Sequence, residues 1–134
     1  MKKYKKISTV ILLVAIMLLH TVTMALAATT DTFNLTLPNQ REVKTLGKGT
    51  KATNDLYSTV HVTGGNVNYI YASAYNGSTN ILEDGEVMIS NGASAPTTLW
   101  YSDYYSNITK GKSVTIKAYQ KNVKAKTAVG IVVY

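Results

Sequence analysis

Apolar and polar residues alternate one by one over most of the chain beyond residue 27, and no helical spacing of apolar residues competes with this pattern. Phe33, Leu35 and Leu37, for example, are separated by Asn34 and Thr36. Successive side chains of a β-strand point to opposite faces, so this alternation is typical of strands that bury one face. The chain is therefore expected to bury its apolar side chains between β-sheets.

About seven short strands are predicted, separated by turn-forming residues and without a long helix to connect parallel neighbours. The predicted fold is an all-β, antiparallel β-sandwich, and the alternative is a small closed β-barrel, which also removes exposed edges. Residues 56–63 and 67–75 are predicted to form a hairpin around Gly64 and Gly65, because glycine supplies the positive φ of a tight turn.

Two other segments carry distinct expectations. Residues 39–54 are polar and contain glycine, so they are predicted to be a long loop with at most a short strand near 42–46. The last segment, residues 127–134, is apolar on both faces and is expected to lie between two neighbouring strands or to be covered on both sides.

The first 27 residues have the three regions of a secretory signal peptide. Lysines at positions 2, 3, 5 and 6 precede ten unbroken apolar residues, 10–19, and a small-x-small motif with Ala25 and Ala27 follows. Ten residues rise only ~15 Å as a helix, about half of a ~30 Å hydrocarbon core. The sequence therefore predicts a helical leader, residues 1–27, cleaved after Ala27, with an uncleaved N-terminal anchor as the alternative, and one secreted domain, residues 28–134.

Cysteine is absent from the chain, which excludes disulfides, thiolate metal sites and a cysteine nucleophile. An exported domain without disulfides must be stabilised by packing and by strand hydrogen bonds alone. Export without cysteine, after a lysine-rich leader, is typical of a Gram-positive bacterial product.

Few residues offer catalytic or metal-binding chemistry, and no enzymatic activity or cofactor is expected. His61 is the single histidine after the leader, whereas a zinc site needs three or four ligands and a general base needs a positioned partner. Glu83, Asp84 and Glu86 form the one dense carboxylate cluster. A solvated turn is the expected role of this cluster, and the alternatives are a weak calcium site or a catalytic pair.

The C-terminal part of the chain is strongly basic, with no acidic residue after Asp103. Its six lysines are Lys110, Lys112, Lys117, Lys121, Lys124 and Lys126. Together with Tyr119, they are predicted to form a contact surface on a C-terminal hairpin, although lysines also protect strand edges from pairing with other chains.

Aromatic residues concentrate around Trp100, Tyr101 and Tyr104, which are candidate sugar contacts because Trp and Tyr rings stack on sugars. The favoured expectation is instead that the single Trp fills the core and that its flanking tyrosines line the rim. The nine tyrosines after the leader provide more aromatic area than one core needs.

The sequence predicts a secreted, extracellular binding module at the cell envelope. The expected partner is an anionic cell-wall polymer, a glycan or a membrane surface, and its binding is expected to weaken with salt. Nucleic acid is not expected, because Arg41 is the single arginine in the chain. A bacteriocin-like antagonist, suggested by the apolar residues 128–134, is the alternative function, and a small hydrolase is a third.

Overall fold

The computed structural model describes residues 29–39 and 41–134. The predicted leader and its cleavage residues, Ala25 and Ala27, lie outside the described residues. The described part consists of nine strands and one 3₁₀ turn at Asp103–Tyr105. The strands are β1 Thr30–Leu37, β2 Lys44–Thr50, β3 Tyr57–Gly65, β4 Tyr69–Asn76, β5 Thr79–Asn80, β6 Val87–Ser90, β7 Thr97–Trp100, β8 Ser113–Tyr119 and β9 Lys126–Val133.

The nine strands form two antiparallel sheets. The first sheet has the order β1-β9-β3-β7, and the second has the order β2-β8-β4-β5, with β6 also paired to β4. The all-β, two-sheet prediction is confirmed, whereas the estimate of about seven strands is too low. Among the described residues no strand pairing joins the two sheets, so the alternative of a closed barrel is wrong.

The core lies between the sheets and follows from the alternation in the sequence. In β4 the buried residues are Ile70, Ala72 and Ala74, and in β8 the residues at 114, 116 and 118 are buried in the same way. In β1 the apolar members of the alternating pattern face inward, as predicted, with Phe33 and Leu37 fully buried. The burial of these apolar faces is the main stabilising contribution to the fold.

The predicted hairpin at Gly64 and Gly65 is wrong, because β3 belongs to the first sheet and β4 to the second. The glycines instead continue β3 beside β9, after a register shift that follows Val62. Gly65 has φ 97°, and a Cβ there would lie 2.2 Å from the carbonyl oxygen of Thr127. Gly65 therefore permits a close approach between two strands, and the chain then crosses to the other sheet.

The predicted C-terminal hairpin is also wrong. Strand β8 lies in the second sheet between β2 and β4, whereas β9 lies in the first sheet between β1 and β3. The central position of β9 confirms the expectation that residues 127–134 have strand neighbours on both sides. Its buried residues are Ala128, Gly130 and Val132, while Ile131 on the opposite face is partly exposed.

Strand β2 occupies seven residues of the segment that was predicted to be a loop, and it is longer and begins later than the short strand allowed near 42–46. Its sequence, KTLGKGT, shows little alternation because Gly47 and Gly49 occupy positions where the ring of Tyr134 lies against the backbone. The hydroxyl of Tyr134 donates to Asp31, and the same carboxylate accepts a hydrogen bond from the backbone of Lys48. These contacts connect the β1 edge of the first sheet to the β2 edge of the second.

Candidate functional site

Four tyrosines lie on the outer surface of the second sheet, and we call this surface the tyrosine face. Tyr69, Tyr71 and Tyr75 come from β4, and Tyr119 comes from β8, directly opposite Tyr71. All four are half-buried. They face outward because the residues between them are small or aliphatic and fill the core. The strand alternation thus builds a continuous aromatic surface.

The rings of Tyr69 and Tyr119 each contact that of Tyr71. The rings of Tyr71 and Tyr119 are stacked, with centroids 5.3 Å apart and planes 15° from parallel. Tyr69 meets Tyr71 edge-to-face, with centroids 5.7 Å apart. Such geometries are favourable for aromatic pairs, and cross-strand pairs of this kind stabilise a sheet. The face is therefore an ordered platform. Each tyrosine has only two side-chain torsions, so little conformational entropy is lost when its ring binds a ligand.

Two lysines rest on these rings. The Nζ of Lys121 lies 3.6 Å from the centroid of the Tyr71 ring, and the Nζ of Lys117 lies 4.5 Å from that of Tyr75. Both distances allow cation–π attraction. The lysines thus hold their charge beside the aromatic surface, where their ammonium groups can also donate to a ligand.

A carboxylate completes the face. Glu86 accepts a 2.6 Å hydrogen bond from the hydroxyl of Tyr119, and its other oxygen lies 4.0 Å from the Nζ of Lys121. Burial of the hydroxyl and its bond to this carboxylate raise the pKa of Tyr119 to about 12. Tyr119 therefore remains a protonated donor at neutral pH, and its ring is fixed in position.

A depression of about 330 Å³ adjoins the tyrosines on the same surface. Its wall is the turn before β6, which is held to the sheet because Ser73 and Asn80 both donate to the carbonyl of Gly85, at 2.7 and 2.6 Å. The polar residues around it are Ser73, Asn80, Asp84, Glu86, Lys117 and Tyr119. The depression thus offers both hydrogen-bond donors and acceptors next to aromatic rings.

The six predicted lysines do not converge. Lys117 and Lys121 lie on the tyrosine face, with Lys124 in the connection that follows and Lys126 at the start of β9. Lys110 and Lys112 precede β8, at its other end. This seven-residue strand is roughly 24 Å long, so Lys110 and Lys112 occupy a region separate from that of Lys121, Lys124 and Lys126.

The three predicted aromatic contacts also separate. Trp100 is 59% exposed on the outer surface of the first sheet, so the expectation that it fills the core is wrong. Tyr104 is 95% exposed on the 3₁₀ turn. Tyr101 is buried, and its hydroxyl is hydrogen-bonded to Ser58 Oγ. Tyr101 is therefore a core residue and is not accessible to a ligand.

The residues considered for metal or catalytic chemistry are dispersed. Within residues 29–39 and 41–134, no group of three His, Asp or Glu side chains is placed to hold a metal ion. His61 is half-buried, and its Nε2 lies 2.8 Å from the carbonyl of Ala93. Glu83 and Asp84 are exposed, whereas Glu86 contacts Tyr119.

The sequence-based list of contacts omitted Tyr69, Tyr71 and Tyr75, although their signal was present. Three tyrosines at intervals of two or four residues along one strand, separated by Ile70, Ala72 and Ala74 on the buried face, indicate an aromatic outer surface. Strand pairing then adds Tyr119 and Lys117 from β8. That pairing is a long-range feature that the sequence does not specify.

Comparison of the chain with protein-family models, with curated proteins and with solved structures gives no match in any of the three. Among the described residues, no helix is long and apolar enough to cross a membrane. A function must therefore be argued from the chemistry of the surface itself.

Proposed function

We propose that the protein is a secreted, non-enzymatic module that binds a glycan of the bacterial cell envelope through the tyrosine face. The observation that carries the proposal is the ordered array of Tyr69, Tyr71, Tyr75 and Tyr119 beside a depression with both donors and acceptors. Aromatic residues with polar tips suit a ligand that has both apolar and hydroxylated surfaces, and a sugar ring has both.

The depression supports a sugar ligand over other small molecules. Each sugar hydroxyl both donates and accepts, and here Asp84 and Glu86 can accept while Asn80 and Lys117 can donate. Asp84 and Glu86 come from one turn, whereas the paired carboxylates of glycosidases flank the scissile bond, at separations of ~5–9 Å. This arrangement favours binding over hydrolysis.

The distribution of charge favours an uncharged stretch of glycan over a polyanion. Lys117 and Lys121 share the surface with Asp84 and Glu86, so the tyrosine face has little net positive charge. The remaining lysines of the C-terminal part lie elsewhere on the domain, where they are exposed or at strand ends. Binding by ring stacking and hydrogen bonds is expected to change little with salt, in contrast to binding of a polyanion.

The predicted leader supports the location at the envelope, because an exported bacterial protein first meets wall glycan. The antagonist hypothesis rested on the apolar residues 128–134, and these residues form part of the central strand β9. No exposed apolar tail is available there to enter a membrane, so the structure gives this alternative no further support.

The proposal is tested by measuring the binding of protein produced from the full-length sequence to a panel of polymers. The panel contains soluble peptidoglycan glycan strands, an uncharged β-glucan and, as the polyanion, teichoic acid. The wild type is expected to bind peptidoglycan strands with similar affinity in about 50 mM salt, where charges are weakly screened, and in about 500 mM salt, where they are strongly screened.

Tyr71→Ala is expected to weaken this binding about tenfold, which corresponds to ~1.4 kcal/mol. Tyr104→Ala is the matched control, because it removes an equally large but 95% exposed ring outside the tyrosine face. The proposal is wrong if no glycan binds, if both substitutions weaken binding equally, or if only teichoic acid binds and salt abolishes that binding.

A further inference from the structure

We propose a second sugar-binding site, centred on Trp100, on the outer surface of the first sheet, so that one molecule bridges two glycan chains. The inference rests on the proposed function of the tyrosine face and adds a site on the opposite side of the sandwich. Trp100 is the single tryptophan of the chain and is 59% exposed, although a side chain of this size gains most from burial. Such exposure is typical of a recognition surface.

The orientation of Trp100 is fixed by the fold. It pairs with Tyr57 across β3 and β7, and the adjacent residues Ser58 and Leu99 are buried on the inner face. The rings of Trp100 and Tyr57 are 5.0 Å apart between centroids, with planes at 64°. Two aromatic rings are therefore presented together on an outer surface, and neither is needed to fill the core.

Tyr57 also lines a hollow of about 160 Å³. The hydroxyls of Thr53 and Thr59 and the carboxylate of Asp55 line it, and Val133 provides an apolar wall. Hydroxyls and a carboxylate accept and donate hydrogen bonds in the pattern that a sugar requires, next to rings that can stack on it. The chemical class of ligand is thus the same as at the tyrosine face.

The surroundings of the hollow favour an uncharged ligand. The outward-facing positions of the four strands of the first sheet hold threonines, aliphatic residues, Asn34, His61 and the two aromatic rings, with no lysine, arginine, aspartate or glutamate. These strand positions offer a charged partner no ionic contact, whereas a neutral glycan chain can contact hydroxyl and methyl groups along its length.

The two sites face away from each other, because each lies on the outer surface of its own sheet and stacked sheets are ~10 Å apart. One straight stretch of glycan cannot contact both. Occupation of both sites therefore joins two chains, and the avidity for a dense wall exceeds the affinity of either site.

The test uses the fluorescence of Trp100, which reports the second site alone because no other tryptophan is present. Soluble peptidoglycan glycan strands are titrated into protein produced from the full-length sequence while the emission of Trp100 is recorded. Light scattering, measured in parallel, reports the cross-linking of long strands. We expect a blue shift and a change in intensity in the wild type and in Tyr71→Ala. Scattering is expected to rise and then fall with protein concentration in the wild type but not in Tyr71→Ala.

Trp100→Ala is expected to retain binding through the tyrosine face but to lose cross-linking. Tyr104→Ala is the control and is expected to behave as the wild type in both measurements. The second site is refuted, and the proposed function retained, if the strands bind while Trp100 emission stays constant and Trp100→Ala still cross-links. If the strands do not bind at all, both proposals are wrong.

Discussion

Replacement of Gly49 by alanine is expected to destabilise the fold because the ring of Tyr134 occupies the space of the new methyl group. A Cβ at Gly49 would lie 2.3 Å from Cδ2 of Tyr134 and 2.5 Å from Cε2. Gly49 has no positive φ, so the backbone itself tolerates alanine. The expected cost is therefore steric and depends on one identifiable neighbour.

The magnitude follows from three contributions. Overpacking a well-filled site costs about 1–3 kcal/mol. Displacement of the ring also strains the hydrogen bond from the Tyr134 hydroxyl to Asp31, which contributes about 1.5–3 kcal/mol as a bond to a charged group. Loss of glycine flexibility in the unfolded chain returns about 0.4–1 kcal/mol. We expect Gly49→Ala to lower the free energy of unfolding by roughly 2–5 kcal/mol, the balance of these terms.

A double-mutant cycle isolates the contact. In a Tyr134→Ala background the methyl group meets no ring, so Gly49→Ala is expected to be neutral or slightly stabilising. The assay is urea unfolding followed by circular dichroism and by Trp100 fluorescence. Gly64→Ala is the matched control, because its Cβ would lie 3.6 Å from Val129, an ordinary contact, and its φ is not positive. Equal costs of Gly49→Ala in both backgrounds would refute the reasoning.

Two further predictions concern buried polar groups. Burial raises the pKa of Tyr101 to about 12. Because the unfolded tyrosine loses its proton near pH 10, stability is expected to fall between pH 10 and 12, by roughly 2–3 kcal/mol. Urea midpoints measured from pH 8 to 12 should fall less steeply for Tyr101→Phe, and an unchanged slope would contradict the assignment. Gln120 is fully buried, and its amide donates to the carbonyls of Pro38 and Lys124, at 2.7 and 2.9 Å. Gln120→Leu leaves these groups unpaired and is expected to cost about 2–4 kcal/mol in urea unfolding, whereas Asn107→Leu at an exposed position should change stability by less than about 0.5 kcal/mol.

The alternation of residues predicted the strands and their buried faces because the pleat is a local property of the backbone. The buried face of β1 was therefore predicted correctly, with Phe33 and Leu37 in the core. These features depend on residues close together in the sequence.

Pairing between strands could not be predicted in the same way, because it depends on contacts that are distant in the sequence. Gly64 and Gly65 match the local pattern of a hairpin, yet both continue β3, and Gly65 permits the close approach of β9. Strand β2 was predicted only as a short strand near 42–46, because Gly47 and Gly49 remove the alternation where Tyr134 packs. In both places a glycine lies against a neighbour that is distant in the sequence, and only the three-dimensional structure identifies that neighbour.

The candidate site was predicted in part. Lys117, Tyr119 and Lys121 were named, but their partners on β4 were not, because the pairing of β4 with β8 was unknown. The six lysines were grouped because they are close in the sequence, although Lys110 and Lys112 precede β8 and Lys121, Lys124 and Lys126 follow it. Trp100 was assigned to the core on hydrophobicity alone, whereas the register of β7 with β3 points it outward.

The central claim is that the tyrosine face binds glycan, and chemical-shift mapping tests it most directly. Backbone amide spectra of the isotope-labelled protein are recorded while soluble peptidoglycan strands are added. The largest changes are expected at Tyr71, Lys117 and Tyr119 and in the turn that carries Glu86. Changes confined to the region of Lys110 and Lys112, or no changes at saturating glycan, would contradict the claim.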